Sequence, residues 1–183
     1  MSSERRRDAT TWFREPGRGR YSRPERERRF LVGPSVPAGD AARLIEDRYL
    51  EGTSLRLRRV TSDGRSVHKL TQKVRTSQDD PAEVLITNLY LTADEHQRLS
   101  ALPGRVLVRT RTVVATATHQ FVVDEFHGQL HDLRLAEVEV EDLAAPLDLP
   151  DWAGAEVTHD DRYSGGCLAA LDPEGVRALL ATR

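Results

Sequence analysis

A single cysteine, Cys167, leaves this 183-residue chain with no partner for an internal disulfide and no cysteine cluster for a structural metal. Aromatic residues make up only 5% of it, which gives little material for a base-stacking pocket. No apolar run approaches the ~20 residues of a membrane-spanning helix. The N-terminus is basic, but no apolar stretch follows, so it does not read as a secretory signal. Neither a membrane-spanning helix nor a disulfide-stapled secreted domain is expected, and a cytoplasmic location is the expectation. The six histidines (His68, His96, His119, His127, His131, His159) show no metal-ligand spacing, and no sequence repeat is present.

What is abundant is charge. Asp, Glu, Lys and Arg make up 31% of the chain against 38% hydrophobic residues, the balance of a soluble domain with one core. Residues 1–24 carry seven arginines against Glu4, Asp8 and Glu15, a net +4 in a chain whose total is −2. With Gly17, Gly19, two prolines and little apolar periodicity, this stretch reads as a flexible basic arm. Residues 25–183 then form the folded domain. A basic arm can touch polyanions, yet a solvated tail without a dedicated partner is the reading adopted. Nucleic acid is not an expected partner.

Alternation and turn residues lay out the elements. ERERRFLV (25–32), SLRLRRV (54–60), SVHKLTQKV (66–74), EVLITNLYL (83–91), VLVRTRTVVAT (106–116), HQFVVDEFHG (119–128) and LRLAEVEVEDL (133–143) read as strands. Asp63-Gly64 predicts a tight hairpin. AGDAARLIEDRYL (38–50) reads as a short helix running into a strand. Thr92 and Glu95 stand at capping-box spacing and open a helix that Pro103-Gly104 ends. Pro146 and Pro150 mark a loop, and RYSGGCLAAL and PEGVRALLATR give a helical C-terminus. Strands outnumber helices, which predicts an α+β domain on an antiparallel sheet or barrel.

The charges on these strands are segregated. Glu25 and Glu27 share a face with Arg29, while Arg28 lies opposite beside Phe30 and Val32. Arg56 and Arg58, Lys69 and Lys73, and Arg109 and Arg111 repeat on basic strands; Glu137, Glu139 and Glu141 repeat on an acidic one, and Asp124 stands alone. An antiparallel sheet with one solvated face also alternates in this way. Two features point beyond that reading: the signs segregate, some strands offering only acids and others only bases, and like charges two apart repel unless something opposite lies between them. A hard cation bound to a polyphosphate has both properties, with carboxylates on the cation and guanidinium or ammonium groups on the phosphates. A closed barrel could line its interior with such residues and cover its apolar outer face with helices.

In order along the chain, these segments resemble the signatures of the CYTH superfamily, the triphosphate tunnel metalloenzymes. ERERRFLV resembles the opening ExExK. RYLEGTSLRLR, LTQK, VRTR, FVVDEFHG, LRLAEVEVED and VTHDDRYSGGCLA resemble the six that follow, over roughly residues 25–170. The resemblance implies a closed antiparallel eight-stranded β-barrel, a tunnel, with helices packed outside. It implies Mg2+ or Mn2+ on Glu25, Glu27, Glu137 and Glu139, and a triphosphate group on Arg56, Arg58, Lys69, Lys73, Arg109, Arg111 and Arg162. It implies catalytic work for Glu27, Arg29, Asp124 and Glu139, and hydrolysis of tripolyphosphate or a small organic triphosphate such as thiamine triphosphate. Homodimerisation is among the expectations.

Three positions depart from the family pattern. Arg29 replaces the lysine, so no proton can be accepted there. Val84, Ile86 and Asn88 stand where R-x-E-x-E is usual, and Gly165 replaces an asparagine. Two other classes therefore stay open: a non-hydrolytic triphosphate- or polyphosphate-binding module, and a nucleotide cyclase or phosphotransferase.

Overall fold

The computed structural model describes residues 15–33, 35–40, 42–77 and 82–181; the first 14 residues of the basic arm, with Trp12, lie outside the described residues. Nine strands form one antiparallel sheet: β1 (Arg23–Val32), β2 (Arg43–Leu50), β3 (Leu55–Ser62), β4 (Arg65–Arg75), β5 (Glu83–Leu91), β6 (Gly104–Ala115), β7 (Gln120–Phe126), β8 (Arg134–Glu139) and β9 (Ala153–Glu156). Their order is β5-β4-β3-β2-β6-β7-β8-β1-β9. A further pairing of β5 with the start of β1, Arg23 opposite Ile86 and Glu25 opposite Val84, closes eight of them into a barrel. The short β9 adds to the far half of β1 through Phe30 and Val32.

Local chemistry explains the joints. At the β3–β4 hairpin, Asp63 and Gly64 both have positive φ (51° and 71°), the two-residue turn whose twist suits antiparallel strands. Helix α1 (Ala93–Leu99) opens on the capping box foreseen at Thr92 and Glu95: the Glu95 N–H donates to Thr92 Oγ1 at 3.2 Å and the Thr92 N–H to Glu95 Oε2 at 2.7 Å. Helices α2 (Gly165–Ala170) and α3 (Pro173–Ala181) make the C-terminal segment. Two expectations need correction. Among the described residues no helix precedes β2: Ala, Leu, Arg and Glu favour a helix intrinsically, but pairing with both β3 and β6 overrides that preference. The stretch after Pro150 contains β9, whose Ala-Gly-Ala-Glu sequence carries no strand signal.

The apolar residues pack in two places, and the charges lie between them. On the outer face, Phe30, Val32, Phe121, Val123, Ala136 and Val138 are buried beneath Val36, Val140, Leu147 and Trp152. Trp152 meets Phe121 edge to face at 5.3 Å. This resolves the mixed character of ERERRFLV: Phe30 and Val32 belong to a core outside the barrel, while Glu25, Glu27 and Arg29 point inside. Burying each such phenylalanine contributes about 2–3 kcal/mol. The second core lies inside one end, where Leu107, Phe126 and Leu135 meet Tyr163 and Leu168, with Val176 and Leu179 of α3 behind. The middle of the barrel is left to polar side chains.

Candidate functional site

Strand register sets the site. Arg58 stands opposite Asp47 across β2–β3, Arg111 opposite Asp124 across β6–β7, and Arg29 opposite Glu137 across β1–β8. Each directly opposed pair is bonded. Arg58 donates to Asp47 through Nε at 2.7 Å and Nη2 at 2.8 Å. Arg111 donates to both oxygens of Asp124 at 2.6 Å each, and Nη2 also reaches Glu137 at 2.8 Å. Arg29 Nε donates to Glu137 at 2.9 Å. Lys73 pairs with Glu25 and lies 3.8 Å from Glu27.

These side chains surround a cavity of about 400 Å³. Eleven of the residues expected from the sequence line it: Glu25, Glu27, Arg29, Arg56, Arg58, Lys69, Lys73, Arg109, Arg111, Asp124 and Glu137. Two lie elsewhere. Glu139, though opposite Glu27 in the register, is exposed beyond the lining. Arg162 is exposed on a shallow outer depression and folds back on Asp160, with Nη2 to Oδ2 at 2.7 Å. Val84, Ile86 and Asn88 face the cavity, so the uncharged stretch of β5 is part of its wall. Gly165 lies against Tyr49; a Cβ there would fall 2.0 Å from the tyrosine hydroxyl, so the side chain usual at that position would displace Tyr49.

The residue missed in the sequence is Asp47. It is completely buried, and three guanidiniums share it: Arg58, Arg109 through Nη1 at 2.8 Å, and Arg56 through Nε at 3.4 Å. Its signal was present. Counting back from the turn at 51–54 puts Asp47 opposite Arg58 and Tyr49 opposite Arg56. Burial alone would raise the Asp47 carboxyl, but Arg58, Arg56 and Arg109 hold it well below the usual carboxylate range. The arginines remain in excess. Arg58 is itself pushed down by burial and by Arg56, the mark of a strongly positive surrounding. Arg56 Nε and Arg109 Nε are buried donors without an aligned acceptor, although Arg109 Nε lies 2.8 Å from Asp124.

The other side of the cavity is acidic. Burial, with Glu137 and Glu25 nearby, pushes the Glu27 carboxyl up to about 7 against the pull of Lys73 and Arg29. Burial would raise Glu137 too, but Arg29, Arg111, Lys73 and Arg109 bring it well below its ordinary value. Among the described residues no three carboxylate, histidine or cysteine side chains converge as a ready-made metal cage. The interior thus sets an arginine cluster gathered on Asp47 beside the carboxylates of Glu27 and Glu137, the latter bonded by Arg29 and Arg111.

A closed antiparallel barrel with such an interior defines a tunnel protein lined by charged side chains. The solved inorganic triphosphatase NE1496 is similar to it at 30% identity and a TM-score of 0.57, over 81% of this chain and 96% of that one. The chain belongs to the CYTH superfamily, the triphosphate tunnel proteins. The PH1819 protein of Pyrococcus horikoshii shares the fold at 16% identity and a TM-score of 0.50, over 86% of this chain and 87% of that one. The inorganic triphosphatase of Acetivibrio thermocellus is 51% identical over 41 residues, 22% of this chain and 26% of the relative; the match spans about a quarter of that protein. No family model matches the chain.

Proposed function

We propose that the tunnel binds a triphosphate group and, with a divalent cation, hydrolyses one of its phosphoanhydride bonds. The observation that carries this reading is the arginine cluster: Arg56, Arg58 and Arg109 gather on the one carboxylate of Asp47 and all three line the cavity. Phosphate oxygens are the acceptors that guanidinium forks fit best. Arg111, Lys69 and Lys73 extend the cationic wall along the cavity. The similarity to inorganic triphosphatases supports the same chemistry.

The carboxylates fit a hard cation such as Mg2+ or Mn2+ in donor chemistry. Glu27 and Glu137 are close enough to raise Glu27, and a cation would relieve that repulsion. We assign Glu27 and Glu137, with Glu25 beside them, as the residues that would hold such a cation; Glu139, exposed beyond the cavity lining, stands outside the site. A bound cation would neutralise phosphate charge and lower the barrier to attack by water.

This chain's own residues would do the rest. Arg58, Arg109 and Arg111 orient the phosphates and stabilise the charge that builds on their oxygens. Arg29 keeps the charge and donors of a lysine but accepts no proton, so it steadies the terminal phosphate. Asp124 is occupied by Arg109 and Arg111. Glu27 is the cavity carboxylate left to take the proton of the attacking water; Glu139, exposed beyond the lining, is not placed to do so. The cavity is walled from bulk solvent at one end by Tyr163 and Leu168, which strengthens these charge interactions.

A second reading, a triphosphate-binding module without turnover, is favoured by Arg29 and by the absence of carboxylates on the inner face of β5. One experiment separates the two: orthophosphate release from tripolyphosphate and small organic triphosphates, with Mg2+ and with Mn2+, at neutral and alkaline pH. Cation-dependent release supports the hydrolase. Tight binding without release under every condition supports the module.

A further inference from the structure

Outside the tunnel, the fold brings together two histidines that stand far apart in the sequence. His68 lies on β4 beside Lys69, on the opposite face of the strand. Its register partner on β5 is Leu91, the last residue of that strand. Thr92 follows as the N-cap, and its capping box with Glu95 starts α1 at once. The first turn of the helix therefore carries His96 back to the end of β4. The two imidazole rings, both half-buried, stand 4.8 Å apart between centroids and are tilted by 48°.

Both rings keep a lone pair for a ligand. The Ser100 hydroxyl donates to the His96 carbonyl at 2.7 Å, so at its 3.4 Å contact with His96 Nδ1 it can only accept. That contact favours the Nδ1–H tautomer and leaves the lone pair on Nε2. Burial lowers the His96 imidazole, with His68, Arg59 and Arg48 adding to it against the pull of Glu46, so the ring is neutral at pH 7. The His68 ring nitrogens have no hydrogen-bond partner among the described residues. Arg59 stands opposite His68 in the register, but it is bonded to Glu46, which offsets its charge.

The spacing suits one shared ion. Two imidazoles with metal–nitrogen bonds of about 2.0–2.1 Å, at an angle of about 90–110°, have centroids about 4.5–5.3 Å apart. Neutral imidazoles suit Zn2+, Ni2+ and Cu2+, whereas Mg2+ prefers oxygen ligands. We propose that His68 and His96 form a two-histidine site for a borderline transition-metal dication such as Zn2+, Ni2+ or Cu2+, separate from the tunnel, with water filling the remaining positions. An ion held there ties α1 to β4, the strand whose other face carries Lys69 and Lys73 into the tunnel.

Calorimetric titration of the full chain with Zn2+ and with Ni2+, in phosphate-free buffer, tests it on the wild type, His68→Ala, His96→Ala and Glu27→Gln. Saturable binding is expected in the wild type, about tenfold or more weaker in each histidine variant and within about twofold of the wild type in Glu27→Gln. The wild-type affinity should fall between about pH 7.5 and about pH 5.5, as protons compete for the imidazoles. In the unmodified protein, Zn2+ should shift the imidazole NMR signals of His68 and His96 in preference to those of the other four histidines. Binding kept in both histidine variants and lost in Glu27→Gln would give the ion to the tunnel and overturn the site. Equal affinity in all the proteins, shifts confined to the other histidines, or no saturable binding up to about 1 mM ion would overturn it as well.

Discussion

Asp47 lies directly across β2–β3 from Arg58 and receives two hydrogen bonds from its guanidinium, at 2.7 and 2.8 Å, in a position with no exposure to solvent. Two more arginines lean on the same carboxylate. One negative charge thus holds three positive ones at the wall of the tunnel before any ligand arrives. The arginines, which line the cavity, are preorganised by it.

Removing that charge should be costly. Asp47→Asn strands buried guanidiniums, at a cost of about 3–5 kcal/mol, or a fall of roughly 10 °C in Tm for a domain of this size. The sign with pH follows from the direction of the shift. The Asp47 carboxyl is held well below its ordinary 3.8, so its contribution is full above that pH and is lost as the pH falls from there through the lowered folded value. The gap between the Tm values of the wild type and Asp47→Asn should therefore begin to narrow below about pH 4. Tripolyphosphate, as a replacement counter-ion, should recover part of the variant's Tm at neutral pH. A variant as stable as the wild type at neutral pH would show that the arginines do not need Asp47.

Glu27 carries the opposite sign. Its carboxyl is raised from 4.5 to about 7, so the stability it contributes is full below pH 4.5 and lost as the pH rises through about 7. Gln mimics the protonated form at every pH. In chelator, Glu27→Gln should melt a few degrees above the wild type at pH 8 and level with it near pH 5. The same variant should bind Mg2+ or Mn2+ more weakly by calorimetry, because it lacks a ligand charge. Unchanged cation affinity would remove Glu27 from the metal assignment.

Arg29→Lys should hold or raise the rate of phosphate release, since it keeps the positive charge at Glu137 and restores an amine that can lose a proton. The rate of orthophosphate release between pH 7 and 9 checks it. A loss of about tenfold or more would mean that the fork from Arg29 to Glu137, and not charge alone, sets the geometry.

Much of this site could be read from the sequence because its charges keep the period of a strand. Glu25–Glu27–Arg29, Arg56–Arg58 and Arg109–Arg111 each fixed which face of their strand points inward, and a closed barrel brings those faces together whatever the loops do. Asp47 escaped because helix-favouring neighbours obscured the strand around it, and only pairing on both sides decides its conformation. Glu139 and Arg162 show the other limit. Periodicity gives a face but not a depth, and both lie beyond the cavity wall, Arg162 drawn away by Asp160. The uncharged inner row of β5 was visible as missing charge, but its pairing of Asn88 with Thr71 and of Tyr90 with Lys69 needed the register with β4.

Calorimetric titration of tripolyphosphate into the full chain with Mg2+, for the wild type and for Arg111→Ala, tests the central claim most directly. Arg111 bridges the acidic and basic sides through Asp124 and Glu137, so it answers to both halves of the account. The account predicts saturable binding to the wild type that weakens with added salt, and a loss of about 30-fold or more in Arg111→Ala with the barrel still folded by circular dichroism. Equal affinity in the two proteins, or no binding to the wild type at low salt, would contradict it.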